Sequence, residues 1–400
     1  MSDKIQKFVN MLSSNKELAY DVETGGLVPG DMTPLDWKRG YVCGYSLSDG
    51  QDKVYIPVRH EGGGNIECVN EFEQTISKII EGRTAPLIGH NIKFDYHFSQ
   101  NHGIKLGNKI IDTMVTEALI NENRNSYSLE NVCRNYPITP KKGKILNNHI
   151  AQKFNLKTEK GAMGHFYRLP GDDPLAVEYA EGDTQTTFEP YQEQKKKIED
   201  KNLDRIHDVE SKLTYVLQKM ERRGVLVDEE ELERVKQEID ILHYEAYAAL
   251  PMTEDLEPIN PKSNKDLQKY FEYCEIFDWP LNPPTERFPL GSPSFNKDFL
   301  SQHEAGLVII NARKYAHFKS MFLESFPAHV YMGKIHCRYN QAIGEFGGAK
   351  PGRLSCADPN MQFVPKRDKS LGKIFRKIFT AKQGYVIVEL DYSQAEPRLF

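Results

Sequence analysis

The sequence predicts an α/β domain over roughly its first half, then a mostly helical stretch, then a return to β structure. Three observations carry this reading. Up to about residue 200, short apolar runs bounded by turn residues alternate with helical patterns. From about Glu193 the apolar residues recur at helical spacing, and the final seventy or so residues again contain short β-rich runs.

Taken in order, "ELAYDVET" reads as a strand ending in acids, and "YVCGYSLSDG" with "KVYIPV" reads as a hairpin over a Ser-Asp-Gly turn. "EFEQTISKIIEG" places Phe72, Ile76, Ile79 and Ile80 on one helical face and closes at Gly82. "PLIGHN" is a short buried strand, and "IIDTMVTEALI" passes from strand into helix. Residues 140–170 are basic and polar and read as an irregular insertion. From Glu193 to Gly224 the pattern predicts one long helical stretch, with Ile206, Val209, Leu213, Val216, Leu217 and Met220 sharing a face and Gly224 ending it. "EEELERVKQEIDILHYEAYAAL" predicts another helix. In the proline-rich 251–298 region, "SNKDLQKYFEYC" is a helix with Ser263 and Asp266 placed as a capping box. A further helix is expected around 299–325. "KIHCRYNQ" returns to β character, and "GYVIVELDYS" reads as a buried strand through Val386, Ile387 and Val388.

A chain of 400 residues exceeds one ordinary core, and the changes of character suggest divisions at 1–200, 201–330 and 331–400. A charged fraction of 27% with 39% hydrophobic residues is the profile of a soluble globular protein. The net charge of −5 gives no global positive field, although a basic groove can coexist with an acidic remainder. The six cysteines are scattered without a C-x-x-C pair, which argues against a zinc cluster or disulfide framework. No stretch reads as a signal peptide or a membrane span, so a cytoplasmic location without a membrane partner is expected.

Four acids and a tyrosine stand out: Asp21 and Glu23 in the first strand, Asp95 in "GHNIKFD", and Tyr179 with Asp183 in "YAEGDTQTT". Two divalent ions about 3.5–4 Å apart can clamp both oxygens of an in-line phosphodiester displacement, and hard cations such as Mg²⁺ or Mn²⁺ want oxygen ligands. Residues 21 and 23 of a strand point to the same face, and 179 and 183 lie one helical turn apart. Each group alone has an ordinary explanation as a solvated turn or a surface acid. The whole set, in this order and on these elements, does not.

"DVETGGL", "GHNIKFD" and "YAEGDTQTT" resemble the three exonuclease motifs of family A DNA polymerases, the group of bacterial DNA polymerase I and its phage relatives. The resemblance implies a ribonuclease H-like 3′→5′ exonuclease domain, a mixed sheet with flanking helices. In it Asp21, Glu23, Asp95 and Asp183 would bind two divalent ions, Tyr179 would position the attacking water, and Asn91 would contact DNA. Asp112-Thr113-Met114 resembles the family's D-T-M strand end, and Ser126 to Leu129 its S-x-S-L helix start.

From about residue 205 onward the chain resembles the polymerase part of the same family. "YVLQKMERRGVLVDEE" is similar to its opening helix and turn, and "INPKSNKDLQKYF" and "NARKYAHFKSMF" to segments of a mostly helical thumb. That likeness implies phosphate contacts for Arg313 and Lys319. "PGRLSCADPNMQFVPKR" resembles the T-G-R-L-S-S-x-x-P-N-L-Q-N-I-P-x-R signature, with Pro351 and Cys356 departing from it. Arg353 would then meet primer phosphate or sugar, while the Asn360 and Gln362 amides would reach minor-groove acceptors shared by all base pairs. "VIVELDYSQAEPRLF" is similar to the palm's first motif and implies a metal-binding Asp391 and a sugar-selecting Glu396. The family's fingers pattern and its H-D-E carboxylate are not in the 400 residues, so the palm, an α+β element, is expected to be incomplete. The expectation is therefore a proofreading exonuclease acting on single-stranded 3′ ends and on primer-template DNA. DNA synthesis would depend on a second polypeptide or a continuation of the chain. The alternatives are a stand-alone exonuclease with a DNA-gripping second half, or a non-catalytic DNA-binding subunit. An intact acid set speaks against the last.

Overall fold

The computed structural model describes the chain apart from residues 1, 27–32, 108, 139–142, 254–255, 343–348, 350–351, 366–370, 395–397 and 399–400. Two compact units emerge, one of residues 1–223 with 338–357, the other of 224–337 with 358–400. Among the described residues no helix is long and apolar enough to cross a membrane.

In the first unit, helix α1 (Ser2–Ser13) leads into strand β1 (Leu18–Gly25), followed by β2 (Tyr41–Ser48) and β3 (Lys53–Pro57). Helix α2 (Val69–Gly82) precedes β4 (Leu87–Gly89), and α3 (Ile92–Asn101) precedes β5 (Ile110–Asp112). These strands form one mixed sheet in the order β3-β2-β1-β4-β5. The predicted hairpin is present: β2 runs antiparallel to both β1 and β3, whereas β4 lies parallel to β1 and β5. A register shift between Glu23 and Thr24 bulges β1 just after its acids. Phe72, Ile76 and Ile80 bury the predicted face of α2 against Phe8, Tyr45 and the strands. The β5 strand continues directly into α4 (Thr113–Ile120), as the sequence indicates, and α5 (Leu129–Asn135) follows.

The described residues of the 140–170 stretch are not mainly irregular. Helix α6 (Gly143–Lys153) and a 3₁₀ helix over Ala162–Arg168 occupy most of them. Only Leu146 and Ile150 of α6 are buried, a stripe too narrow to stand out among its lysines and asparagines. They pack with Phe166, Tyr167 and Leu169 into a satellite core.

Helix α7 (Pro174–Asp200) starts on the Asp173 carboxylate, which accepts from the backbone N–H groups of Leu175 and Ala176, with Pro174 at the first helical position. Pro190 interrupts its hydrogen-bond ladder, and the Cys133 thiol donates to the carbonyl of Thr186 that the proline leaves open. The expected single helix from 193 to 223 is two. Asn202, at φ 55°, ends α7: its N–H reaches the Glu199 carbonyl and that of Leu203 the Ile198 carbonyl, a Schellman closure. Helix α8 (Asp204–Arg223) then runs to Gly224, whose φ of 62° stops it as expected. Of the predicted apolar face of α8 only Leu217 is buried. Val209 and Val216 are about half exposed, while Thr214, Leu217, Gln218 and Glu221 turn inward. Hydrogen bonding decides this: Gln218 donates to Gln100 at 2.6 Å and the Tyr215 hydroxyl to the Leu106 carbonyl at 3.0 Å.

In the second unit, β6 (Val225–Leu226) leads to α9 (Glu229–Ala248), whose N-terminus is capped by the Asp228 carboxylate. Helix α10 (Asn264–Tyr273) is capped by Ser263, which accepts from the Asp266 N–H as the sequence suggests. Short α11 (Lys297–Leu300) and α12 (Glu304–Phe318) follow, and Lys319–Ser325 widens into a π-helix instead of continuing α12. Strands β7 (Val330–Tyr331) and β8 (Lys334–Ile335) join β6 in a small sheet ordered β6-β8-β7. Strands β9 (Arg338–Asn340) and β10 (Ser355–Ala357) pair with each other and belong to the first unit. Helix α13 (Leu371–Arg376) packs Phe375 against Phe318 and Phe326.

The buried strand expected at "GYVIVELDYS" is absent. Residues 385–392 carry no regular structure, and Val386 and Leu390 are 81% and 90% exposed. An apolar run becomes a strand only when a neighbouring strand takes its N–H and C=O groups, and no described strand pairs with this one.

Candidate active site

The site is built on β1. Alternation along the strand buries Tyr20 and Val22 on one face and presents Asp21 and Glu23 on the other. Helix α7 packs across β1, bringing Asp183 to the same place. One carboxylate oxygen each from Asp21, Glu23 and Asp183 lie within 4.8 Å of one another. Asp21 is half-buried and Asp183 buried, and an oxygen of Glu23 and one of Asp183 are shielded from solvent. Three carboxylates converging with oxygen donors alone fit hard divalent cations.

Asp95, the fourth predicted acid, sits in the first turn of α3 and is 2% exposed. It is not one of the three that close to 4.8 Å. Its Oδ1 accepts from the backbone N–H of Val22 at 2.9 Å, between Asp21 and Glu23. Burial, and then the neighbouring Asp21 charge, raise its pKa well above the usual carboxylate range. Tyr179 stands one turn before Asp183 on α7, half-buried, with its ring 6.0 Å from that of Phe166. The start of α6 also approaches this ring: a Cβ on Gly143 would lie 3.9 Å from Tyr179 Cε2. Gly143 and Phe166, from a segment whose polar sequence hides such a role, thus both lie against the tyrosine.

Asn91 begins α3 in the left-handed region, at φ 59°. Its N–H donates to Asp112 Oδ1 at 2.9 Å, and the same oxygen accepts from Met114 N–H at 2.9 Å. Asp112 therefore ties the β4–α3 turn to the start of α4. Burial pushes its pKa up to about 6 despite these bonds.

A group that sequence reasoning missed lies behind α3. Glu221, 4% exposed at the end of α8, meets Lys93 Nζ at 2.5 Å and His97 Nε2 at 2.6 Å. Helical periodicity ranks such residues as surface charges, and nothing in their spacing distinguishes them.

The residues expected to touch DNA are placed as follows. Arg313 of α12 donates to the carbonyls of Pro261 (2.5 Å) and Phe295 (2.7 Å), so its guanidinium already braces the second unit. Lys319 pairs with Asp240 at 2.6 Å. Arg353 and Gln362 are exposed, and the Asn360 side chain accepts from the Gln362 N–H at 2.9 Å. Asp391 is exposed in the segment without regular structure, and Glu396 lies outside the described residues.

Comparison with known proteins gives a consistent result. Residues 1–199 match the family described as 3'-5' exonuclease, and residues 227–400 match DNA polymerase family A. The DNA polymerase DpoZ of Vibrio phage phiVC8 is 29% identical over 409 residues, covering 97% of this chain and 62% of the phage protein. DNA polymerase I of Pseudomonas aeruginosa is 26% identical, over 98% of this chain and 41% of its own length. Among solved structures, the polymerase domain of Pol1 from M. smegmatis, in complex with DNA primer-template and dNTP, superposes with a TM-score of 0.67 at 17% identity. That likeness covers 96% of this chain and 58% of the other. The chain thus spans about 62% of the phage relative and less than half of the bacterial enzyme.

Proposed function

Because the chain belongs to the family A DNA polymerases and carries a 3′-5′ exonuclease domain, we propose that its first unit removes 3′-terminal nucleotides by two-metal hydrolysis. The observation that carries this reading is the convergence of Asp21, Glu23 and Asp183 within 4.8 Å, with Asp95 bonded to the strand between them. When bound, divalent ions would stabilise the charge on the attacking and leaving oxygens. Asp21, Glu23 and Asp183 would hold them, with Asp95 completing the set. The Tyr179 phenol, on the same helix face as Asp183, would orient the water that attacks the terminal phosphorus as the bond to the 3′ oxygen of the preceding nucleotide breaks. Unpaired 3′ ends suit such a site because they avoid the cost of unstacking.

Template-directed synthesis is proposed for the whole family-type protein, with Asp391 as one of its metal-binding acids, Glu396 at the sugar, and Arg353, Asn360 and Gln362 on primer-template DNA. The described structure gives Asp391 no sheet to stand on, so synthesis would require the remaining family region, in the same chain or another.

The test is degradation of a 5′-labelled oligonucleotide by the purified chain. Mg²⁺- or Mn²⁺-dependent shortening from the 3′ end, stopped by EDTA and lost in Asp21→Ala, is expected. Shortening from the 5′ end, or undiminished activity in excess EDTA, would overturn the reading.

A further inference from the structure

We propose that Glu221 is a positioning residue for the exonuclease reaction: its carboxylate fixes the depth of α3 and so holds Asp95 at the acids of β1. The proposal rests on the exonuclease reading above.

Lys93, Asp95 and His97 share α3 at two-residue intervals. Lys93 and His97 lie one turn apart on one side, while Asp95 faces the other way. On its Asp95 side the helix is pinned to β1 through Val22 N–H at 2.9 Å. On the opposite side its ties run to the last turn of α8, to the backbone of β9, and to Trp37, whose ring stacks on His97 with centroids 4.8 Å apart. Lys93 Nζ meets Glu221 Oε1 at 2.5 Å, and His97 Nε2 meets Glu221 Oε2 at 2.6 Å. Arg222 donates to the His97 carbonyl and to Asn101 Oδ1, each at 2.9 Å. The backbone of β9 joins the same carboxylate: Tyr339 N–H donates to Glu221 Oε1 at 2.7 Å, and Lys93 also donates to the Tyr339 carbonyl. One buried carboxylate therefore takes donors from two side chains of α3 and from β9.

Its chemistry separates positioning from mere packing. A buried ion pair seldom stabilises more than apolar residues of the same volume. Leucine or methionine in these places would hold α8 on α3 equally well. What a carboxylate with three directed donors adds is a fixed distance and angle, and the element so fixed carries an acid of the site. A displacement of α3 moves Asp95 relative to Asp21, Glu23 and Asp183 without touching any of them.

The experiment compares the parent 400-residue chain with Glu221→Gln, with Glu221→Gln combined with Lys93→Met, and with Lys219→Ala as an exposed control on the same helix. Three quantities are read: Mn²⁺ binding by calorimetry, with Asp21→Ala identifying the site; the metal concentration for half-maximal 3′ degradation; and the thermal melt. Glu221→Gln is expected to weaken Mn²⁺ binding on the order of 10- to 100-fold, with a parallel rise in the half-maximal metal concentration and no change in Lys219→Ala. Should the unpaired buried lysine unfold Glu221→Gln, the double variant removes that charge. It is expected to melt cooperatively and still bind Mn²⁺ weakly. A cooperatively melting variant with parental Mn²⁺ affinity overturns the proposal, and so does failure of both variants to fold, because a structural role then suffices. A parent chain with neither Asp21-sensitive Mn²⁺ binding nor 3′ degradation overturns the exonuclease reading instead.

Discussion

At the scale of single residues, the site divides its acids by task. Asp21, Glu23 and Asp183 converge, so removing one carboxylate dismantles the charge that would retain both ions. Asp21→Ala is expected to lower 3′ degradation by several orders of magnitude with little change in the melt, since a half-exposed acid contributes little to the core. Tyr179→Phe removes only an orienting hydroxyl and is expected to cost far less. Single-turnover rates check the division, and equal losses would refute it. Asp112 allows a second expectation. Its folded-state pKa of about 6 lies above its ordinary value of 3.8, so between those values the folded state binds more protons than the unfolded one. Its contribution to stability is therefore present below about pH 4 and lost as pH rises through 6. Asp112→Asn keeps an oxygen that can accept from Asn91 and Met114 and cannot ionise. In urea unfolding with EDTA, its stability relative to the parent is expected to rise by about 1.4 kcal/mol per pH unit across that window and to level off above it. A difference independent of pH would refute the buried-charge account.

At the scale of elements, β1 and β2 form the platform, and Gly44 shows how tightly it is built. Gly44 pairs with Glu23 across the strands, and a Cβ there would lie 1.9 Å from the Tyr55 hydroxyl. Tyr55 is fully buried and bonded to His60 at 2.6 Å. Gly44→Ala must therefore displace this ring, and a loss of about 1–3 kcal/mol is expected, together with a lower degradation rate as Glu23 shifts. Denaturant titration and the rate assay check both. Elements of this platform were legible because periodicity and chemistry agree in them: strand alternation in "LAYDVETG", helical spacing from Tyr179 to Asp183, the stop at Gly224. Reading failed where local pattern and partner disagree. Helix α8 shows an apolar stripe at Ile206, Val209, Leu213, Val216, Leu217 and Met220, yet of these only Leu217 is buried, and hydrogen-bonding partners turn Gln218 and Glu221 inward beside it. Helix α6 buries only two residues of a polar segment. Among the described residues no strand pairs with 385–392 to satisfy the β propensity of its sequence, and no window of sequence reports whether a partner strand exists.

At the scale of the whole molecule, the question is what the polymerase-type half does in this 400-residue chain. Arg353 and Gln362 are each exposed, and the DNA contacts that the family resemblance implies for them lead to an expectation of salt-sensitive binding to primer-template. Arg353→Ala should lessen the slope of log affinity against log salt by about 1. Arg313→Ala should instead lower the melting temperature, since the Pro261 and Phe295 carbonyls lose their donor. Synthesis demands more than grip. A two-metal polymerase site needs carboxylates held together on a paired sheet, whereas Asp391 lies in an exposed run flanked by Leu390 and Tyr392, which are 90% and 83% exposed. With Asp21→Ala silencing degradation, the chain alone is expected to bind a labelled primer-template without extending it. Extension is expected once a polypeptide bearing the family's remaining fingers and palm region is supplied, because pairing with 385–392 would order Asp391 and cover its apolar neighbours in one event. Denaturing gels of the primer read the outcome. Template-directed extension by the 400-residue chain alone would show that this segment finds its sheet without help.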